Sequence, residues 1–188
     1  MGELYPVLSR TVLALDQAGA PYAIVGSVAG MAWGIARTTQ DVDLVALIDT
    51  TRGDRIIELL ASDDSLYVPI DDARRALRTA GSFNVLHPRS GGKVDVFVAL
   101  PDDFDRSRIE RRIALQLLGV DTWVATAEDV VLAKLRWRLD SRSEVQWRDC
   151  LEIASTQRLD RDYLAGWATL LGVDDDLREL LTAADHAG

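Results

Sequence analysis

The chain reads as an α/β (α+β) protein: a mixed sheet flanked by helices, followed by an all-helical C-terminal part. Two observations carry this reading. Short apolar runs bounded by turn residues recur up to residue 125, with helical segments between them. From residue 126 onward the apolar residues keep helical spacing, and no further strand pattern interrupts them.

The elements follow in order. Residues 4–18 form an amphipathic helix on Leu4, Val7, Leu8, Val12, Leu13 and Leu15, stopped by Gly19. Tyr22-Ala23-Ile24-Val25 is a short buried strand closed by Gly26-Ser27. Residues 28–36 are helical, and the small residues Ala29, Gly30, Ala32 and Gly34 permit close packing. Residues 41–47 are a second strand, and residues 52–62 a helix turning Ile56, Ile57, Leu59 and Leu60 inward. Residues 82–86 and 93–100 are strands joined through His87-Pro88-Arg89-Ser90-Gly91-Gly92, a hairpin with a multi-residue loop. Residues 113–118 and 123–125 are further strands around a turn at Gly119. Thr126 is a helix N-cap with Glu128 and Asp129 in the first turn, and helices follow at 126–140, 144–156, 160–171 and 174–184. The expected division is a core at 1–125 and a helical region at 126–188 packed on it.

Bulk properties exclude several classes. The 188 residues are 48% hydrophobic and 27% charged, which provides a core and argues against disorder. No apolar run reaches the roughly 18–20 residues of a membrane span, and the N-terminal stretch lacks the pattern of a secretory signal. A cytoplasmic protein is expected. The single cysteine, Cys150, excludes an internal disulfide and a multi-cysteine zinc site, and reads as a small buried hydrophobe. With only His87 and His186, any metal must rest on carboxylates, which selects hard ions such as Mg2+ or Mn2+. The net charge of −9 argues against a wholly basic nucleic-acid surface. Two local groups remain: Arg106, Arg108, Arg111 and Arg112, and Lys134, Arg136, Arg138, Arg142 and Arg148. Each reads as a solvated helix face or as a patch for RNA. Trp137 and Trp147 flank the second group, as helix-packing residues or as stacking platforms.

The chemistry concentrates in Val25-Gly26-Ser27, thirteen further residues, and Asp41-Val42-Asp43-Leu44. Alternation along a strand puts Asp41 and Asp43 on one face. Two adjacent carboxylates repel unless a cation lies between them, so the pair makes sense as a divalent-metal site. Asp95 is a lone acid within Val94-Asp95-Val96-Phe97. Where its strand neighbours the first, three carboxylates converge, enough for two magnesium ions about 3.5–4 Å apart in a nucleotidyl-transfer site. Asp95 would then help the second ion or act as a general base. Gly26 lets a ligand approach the backbone, and Ser27 and the helix after it offer a hydroxyl and free N–H groups to phosphate.

Val-Gly-Ser, the thirteen-residue gap, Asp-Val-Asp-Leu and the later Val94-Asp95-Val96 resemble the signature of the DNA polymerase beta-like nucleotidyltransferase superfamily. Arg37-Thr38-Thr39-Gln40-Asp41-Val42-Asp43, Thr126-Ala127-Glu128-Asp129 leading to Lys134-Leu135, and Arg148-Asp149 resemble the AbiEii-type nucleotidyltransferases, which include toxins of toxin–antitoxin pairs. The resemblance implies the nucleotidyltransferase fold. It also implies Mg2+-dependent transfer of a nucleoside monophosphate from an NTP to a hydroxyl, with pyrophosphate released. Two Mg2+ (or Mn2+) ions would be held with the NTP bound. It carries Lys134 and Asp149 into the active site beside Asp41, Asp43 and Asp95. The implied partners are an NTP, a tRNA or other RNA acceptor, and an antitoxin.

Plainer readings stand beside these. The plainer alternative for Gly26-Ser27 is an ordinary strand-to-helix turn with Ser27 as N-cap. Arg37 sits near phosphate or pairs with a neighbouring acid. Lys134 snorkels from its helix, and Asp149 pairs with Arg148 or Arg142. His87 is structural. The competing functions are a small-molecule, aminoglycoside-like nucleotidyltransferase and a non-catalytic nucleotide- or partner-binding protein of the same fold.

Overall fold

Apolar alternation in the strands sets the sheet. The computed structural model describes residues 3–36, 39–99 and 102–187. In chain order the elements are α1 (Tyr5–Gln17), β1 (Tyr22–Val25), α2 (Gly26–Ala32), β2 (Asp41–Ala46), α3 (Thr50–Ala61) and α4 (Ile70–Thr79). β3 (Ser82–His87), β4 (Gly92–Val98), α5 (Asp103–Glu110), β5 (Ile113–Leu117) and β6 (Val120–Val124) follow. The C-terminal helices are α6 (Ala127–Ser141), α7 (Glu144–Thr156), α8 (Arg161–Leu171) and α9 (Asp174–Ala187).

The chain divides into two units: residues 1–28 with 38–125, and residues 29–37 with 126–188. The first unit is built on a six-stranded mixed sheet in the order β3-β4-β2-β1-β6-β5. β2 and β4 run parallel, as do β1 and β6, and the remaining neighbours are antiparallel. One face of the central strands is apolar. Val42 and Leu44 of β2, and Val94, Val96 and Val98 of β4, are buried. Helix α1 packs on β3, β4 and β6 with Val7, Leu8, Val12 and Leu15 turned in, and α4 packs on β3 and β4. Burying such side chains supplies about 1.5–3 kcal/mol each, so these helices hold the sheet.

Helix α4 was not expected from the sequence, and α5 was foreseen only as the helix face that the group from Arg106 to Arg112 suggests. Each carries a thin apolar side: Ala73 and Ala76 in α4, Phe104 and Ile109 in α5, among many charges. Helix α2 is shorter than the expected 28–36. It ends at Ala32, and Gly34 follows with φ +105. The hairpin at His87 forms as expected, with Ser90 and Gly91 N–H donating to the His87 carbonyl. His87 is structural: its Nδ1 lies 3.0 Å from Ser90 Oγ, which donates to the Glu3 carbonyl.

The second unit gathers α6 to α9 and residues 29–37. The segment after α2 docks on α7: Gln157 Nε2 donates to the Trp33 carbonyl, and Ala36 N–H donates to Glu152. Helix α6 starts on Thr126 as expected, which accepts from Asp129 N–H.

Candidate active site on the β2–β4 face

Strand pairing brings the three acids of the sequence motif together. β2 and β4 pair in parallel with Asp41 opposite Lys93 and Asp43 opposite Asp95. Opposite residues in a sheet share a face, so these four side chains form a two-by-two patch. The burial pattern agrees: Asp41, Asp43, Lys93 and Asp95 are half-buried, while the valines and leucine between them are buried. Asn84 of β3 lies opposite Asp95, and Val25 of β1 lies opposite Asp43.

Asp41 is held on both sides. Thr39 Oγ1 donates to its Oδ1 at 2.8 Å, and Lys93 Nζ stands 3.5 Å from its Oδ2. Lys93 Nζ also pairs with Asp95 Oδ2 at 2.7 Å. The hydrogen bond to Asp95 and the charges of Asp95 and Asp41 hold the Lys93 ammonium above the usual lysine range, against partial desolvation.

Lys93 and Thr39 are the site residues that sequence reasoning missed. A signal for Lys93 was available. Of 21 basic side chains in the chain, only Lys93 and Lys134 are lysines, and Lys93 falls two positions before Asp95, on the same strand face.

Gly26 is tied to Asp43. Its φ is +64, and a Cβ there would stand 2.9 Å from Asp43 Cγ and 3.0 Å from Asp43 Cβ. Both the backbone and the space therefore demand glycine. Ser27 follows in α2, half-buried. Arg37 lies outside the described residues.

The donor set suits a hard divalent ion in kind: three carboxylates, no competing thiol or imidazole, on adjacent positions of paired strands. A cation does sit among them, the Lys93 ammonium. In this side-chain arrangement no group of three His, Cys, Asp or Glu residues is gathered tightly enough to hold a metal ion, among the described residues.

No family model and no curated protein sequence matches the chain. Solved structures do match. The antibiotic-resistance factor ANT(2'')-Ia superposes with a TM-score of 0.53 at 14% identity, over 97% of this chain and 95% of that one. An antigenic nucleotidyltransferase-like protein from Paracoccidioides brasiliensis gives 0.52 at 22% identity, over 96% and 94%. The lincosamide antibiotic adenylyltransferase LnuA gives 0.52 at 12% identity, over 81% and 98%. The chain has the nucleotidyltransferase fold. In this nucleotidyltransferase fold the acid patch lies on the paired strands β2 and β4, and the motif read from the sequence is carried by β1, the start of α2, β2 and β4.

Lys134 and Asp149 meet in the second unit. Lys134 Nζ donates to Asp149 Oδ2 at 2.7 Å and to Gln146 Oε1 at 2.9 Å, and both charged residues are 5% exposed. Asp149 thus pairs with this lysine, and Lys134 does not snorkel. Cys150 beside them is buried, with its thiol pushed up to about 12, chiefly by burial, so it stays protonated and inert at neutral pH.

The basic groups are partly neutralised within the fold. Arg108 pairs with Asp105 at 2.7 Å, and the Arg112 guanidinium lies 4.6 Å from the centre of the Trp123 ring. Arg138 bridges to Asp176 and covers Trp147 at 4.7 Å from its ring centre. Trp147 is therefore stacked already, whereas Trp137 is 66% exposed. Among the described residues, no helix is long and apolar enough to cross a membrane.

Proposed function

We propose that this chain is a nucleotidyltransferase that moves a nucleoside monophosphate from an NTP to a hydroxyl acceptor and releases pyrophosphate. The observation that carries the reading is the register of Asp43 against Asp95, with Asp41 on the same face, in a chain with the nucleotidyltransferase fold. Asp41, Asp43 and Asp95 are the residues that would hold Mg2+ or Mn2+. When bound, the ion supplies positive charge to the triphosphate and acidifies the acceptor hydroxyl.

The chain's own residues prepare that site. Thr39 fixes the direction of Asp41 by its 2.8 Å hydrogen bond. Gly26, lacking a side chain, leaves room for the Asp43 carboxylate. Asp95 is the group to accept the proton as the acceptor oxygen bonds to the α-phosphorus and the bond to pyrophosphate breaks. Gly26 and Ser27 are assigned to the phosphates, and Arg37 with them. Lys134 and Asp149 form a buried pair in the other unit, and a catalytic role for them rests on the AbiEii-type resemblance alone.

Two acceptor classes are separated by one experiment. Resemblance to AbiEii-type toxins and the two arginine groups favour tRNA or another RNA, with an antitoxin as partner. The likeness to ANT(2'')-Ia, solved with adenylyl-2''-tobramycin, and to LnuA, solved with lincomycin, favours a small hydroxyl compound. The test incubates the protein with each α-labelled NTP and Mg2+ or Mn2+, once with total RNA and once with an aminoglycoside and lincosamide panel. Label transferred to either acceptor, and absent with Asp43→Asn, supports the reading. No transfer from any NTP to RNA or to the panel, in a wild-type protein shown to be folded, would sink it.

A further inference from the structure

The acid patch contains its own cation. Lys93 Nζ lies 2.7 Å from Asp95 Oδ2 and 3.5 Å from Asp41 Oδ2, bridging two strands and two of the three carboxylates. Its position follows from the register: Lys93 is opposite Asp41 and two residues before Asp95 on one face. Lysine suits such a role better than arginine. Its ammonium is a compact point charge on a flexible stem, whereas a guanidinium is a planar fork that prefers to lock onto one carboxylate. The chain otherwise uses arginine almost throughout, at nineteen positions against two lysines, so a lysine here is a departure from its own habit.

We propose that Lys93 is a displaceable internal counterion: it holds Asp41 and Asp95 together in the metal-free protein, and a divalent ion binds by taking its place. This rests on the proposed metal-dependent reading and adds a positioning residue to it. Like-charged carboxylates this close repel, and a cation between them offsets that repulsion. An empty site without Lys93 would splay its acids, and each metal-binding event would have to regather them. With Lys93, the acids stay gathered, and the lysine competes with the metal. The consequence is a site that binds a free ion weakly and fills when a nucleotide brings further ligands for it.

Removing the competitor should therefore tighten binding of the bare ion. Mn2+ titration followed by electron paramagnetic resonance, on full-length wild type, Lys93→Met and Lys93→Arg, reads this directly. Loss of one half-buried ion-pair competitor predicts roughly two- to fivefold tighter Mn2+ binding for Lys93→Met, with Lys93→Arg no tighter than wild type. A second measurement needs no variant. Acetylation of the wild-type lysines, read by mass spectrometry, has only two side-chain targets. Saturating Mn2+ should speed modification of Lys93 severalfold and leave buried Lys134 unchanged. If wild type binds Mn2+ but Lys93→Met binds it no more tightly, or if Lys93 labelling ignores the bound ion, the counterion role is overturned and the metal site stands. If neither protein binds Mn2+, with or without NTP, both ideas fall together. Should Lys93→Met not fold, the labelling result decides alone.

Discussion

Gly26 shows how a single residue serves a site through its backbone and the space it leaves. Its backbone is left-handed at φ +64, and the space where a side chain would go is filled by Asp43. Left-handed geometry costs an ordinary residue about 1–2 kcal/mol, and the contact adds to it. Gly26→Ala should thus lower stability by about 2 kcal/mol or more, measured by urea denaturation. In an Asp43→Ala background the cost should shrink, because the nearest carboxyl atoms are gone. A Gly26→Ala protein within about 0.5 kcal/mol of wild type would show that neither strain nor contact matters.

Lys134 and Asp149 pose the opposite case, since each is worth most as half of a pair. Breaking a buried ion pair costs about 3–5 kcal/mol, because one charge is stranded away from water, while replacing both partners by apolar residues is far milder. Lys134→Met alone should be strongly destabilised, and Lys134→Met with Asp149→Leu should recover much of the loss. Thermal melts of the two single variants and the double variant test this. Equal destabilisation in all three would mean that the pair contributes through something other than its charges. A drop in turnover for Lys134→Ala would carry no catalytic meaning until that stability loss is accounted for.

At the scale of elements, what could be read from the sequence depended on how strongly each segment was patterned. Strands β1, β2, β3 and β4 and helices α1, α3 and α6 to α9 announced themselves through apolar period and caps. Helix α4 did not, and α5 showed only as an arginine-bearing face, since Ala73 and Ala76 in one and Phe104 and Ile109 in the other are the apolar residues they bury. Alternation showed that Asp41 and Asp43 share a face, but nothing local could reveal that β4 pairs with β2 rather than with β1 or β6. That choice is made by long-range packing, and with it come the Asp43–Asp95 register and the bridging position of Lys93. The start of α6 was legible and is testable. Thr126 Oγ1 accepts from Asp129 N–H and donates to Asp129 Oδ2 at 2.8 Å, while Tyr163 Oη donates to Asp129 Oδ1 at 2.6 Å. Thr126→Ala removes the cap and one partner of a buried carboxylate, so a loss of about 1–2 kcal/mol is expected, with Thr126→Ser restoring most of it. A neutral Thr126→Ala would mean that α6 is held by tertiary packing alone.

For the whole molecule, the distribution of charge bears on the acceptor. The chain carries a net −9, and the arginines that suggested an RNA surface are in part committed elsewhere. Arg108 pairs with Asp105, Arg138 pairs with Asp176, and Arg112 lies over Trp123. Lys134 is buried against Asp149. From the two groups, Arg106, Arg136, Arg142 and Arg148 are exposed. Each phosphate contact contributes about −0.7 to −0.9 to the slope of log K against log salt. With about four such contacts, tRNA affinity should fall by no more than roughly 150-fold between 50 and 200 mM salt. Filter binding or fluorescence anisotropy across that range gives the slope. A fall on the order of a thousandfold, as for six or more contacts, would mean that the phosphate-binding surface lies outside these two groups. RNA would then become the stronger acceptor in spite of the chain's acidity.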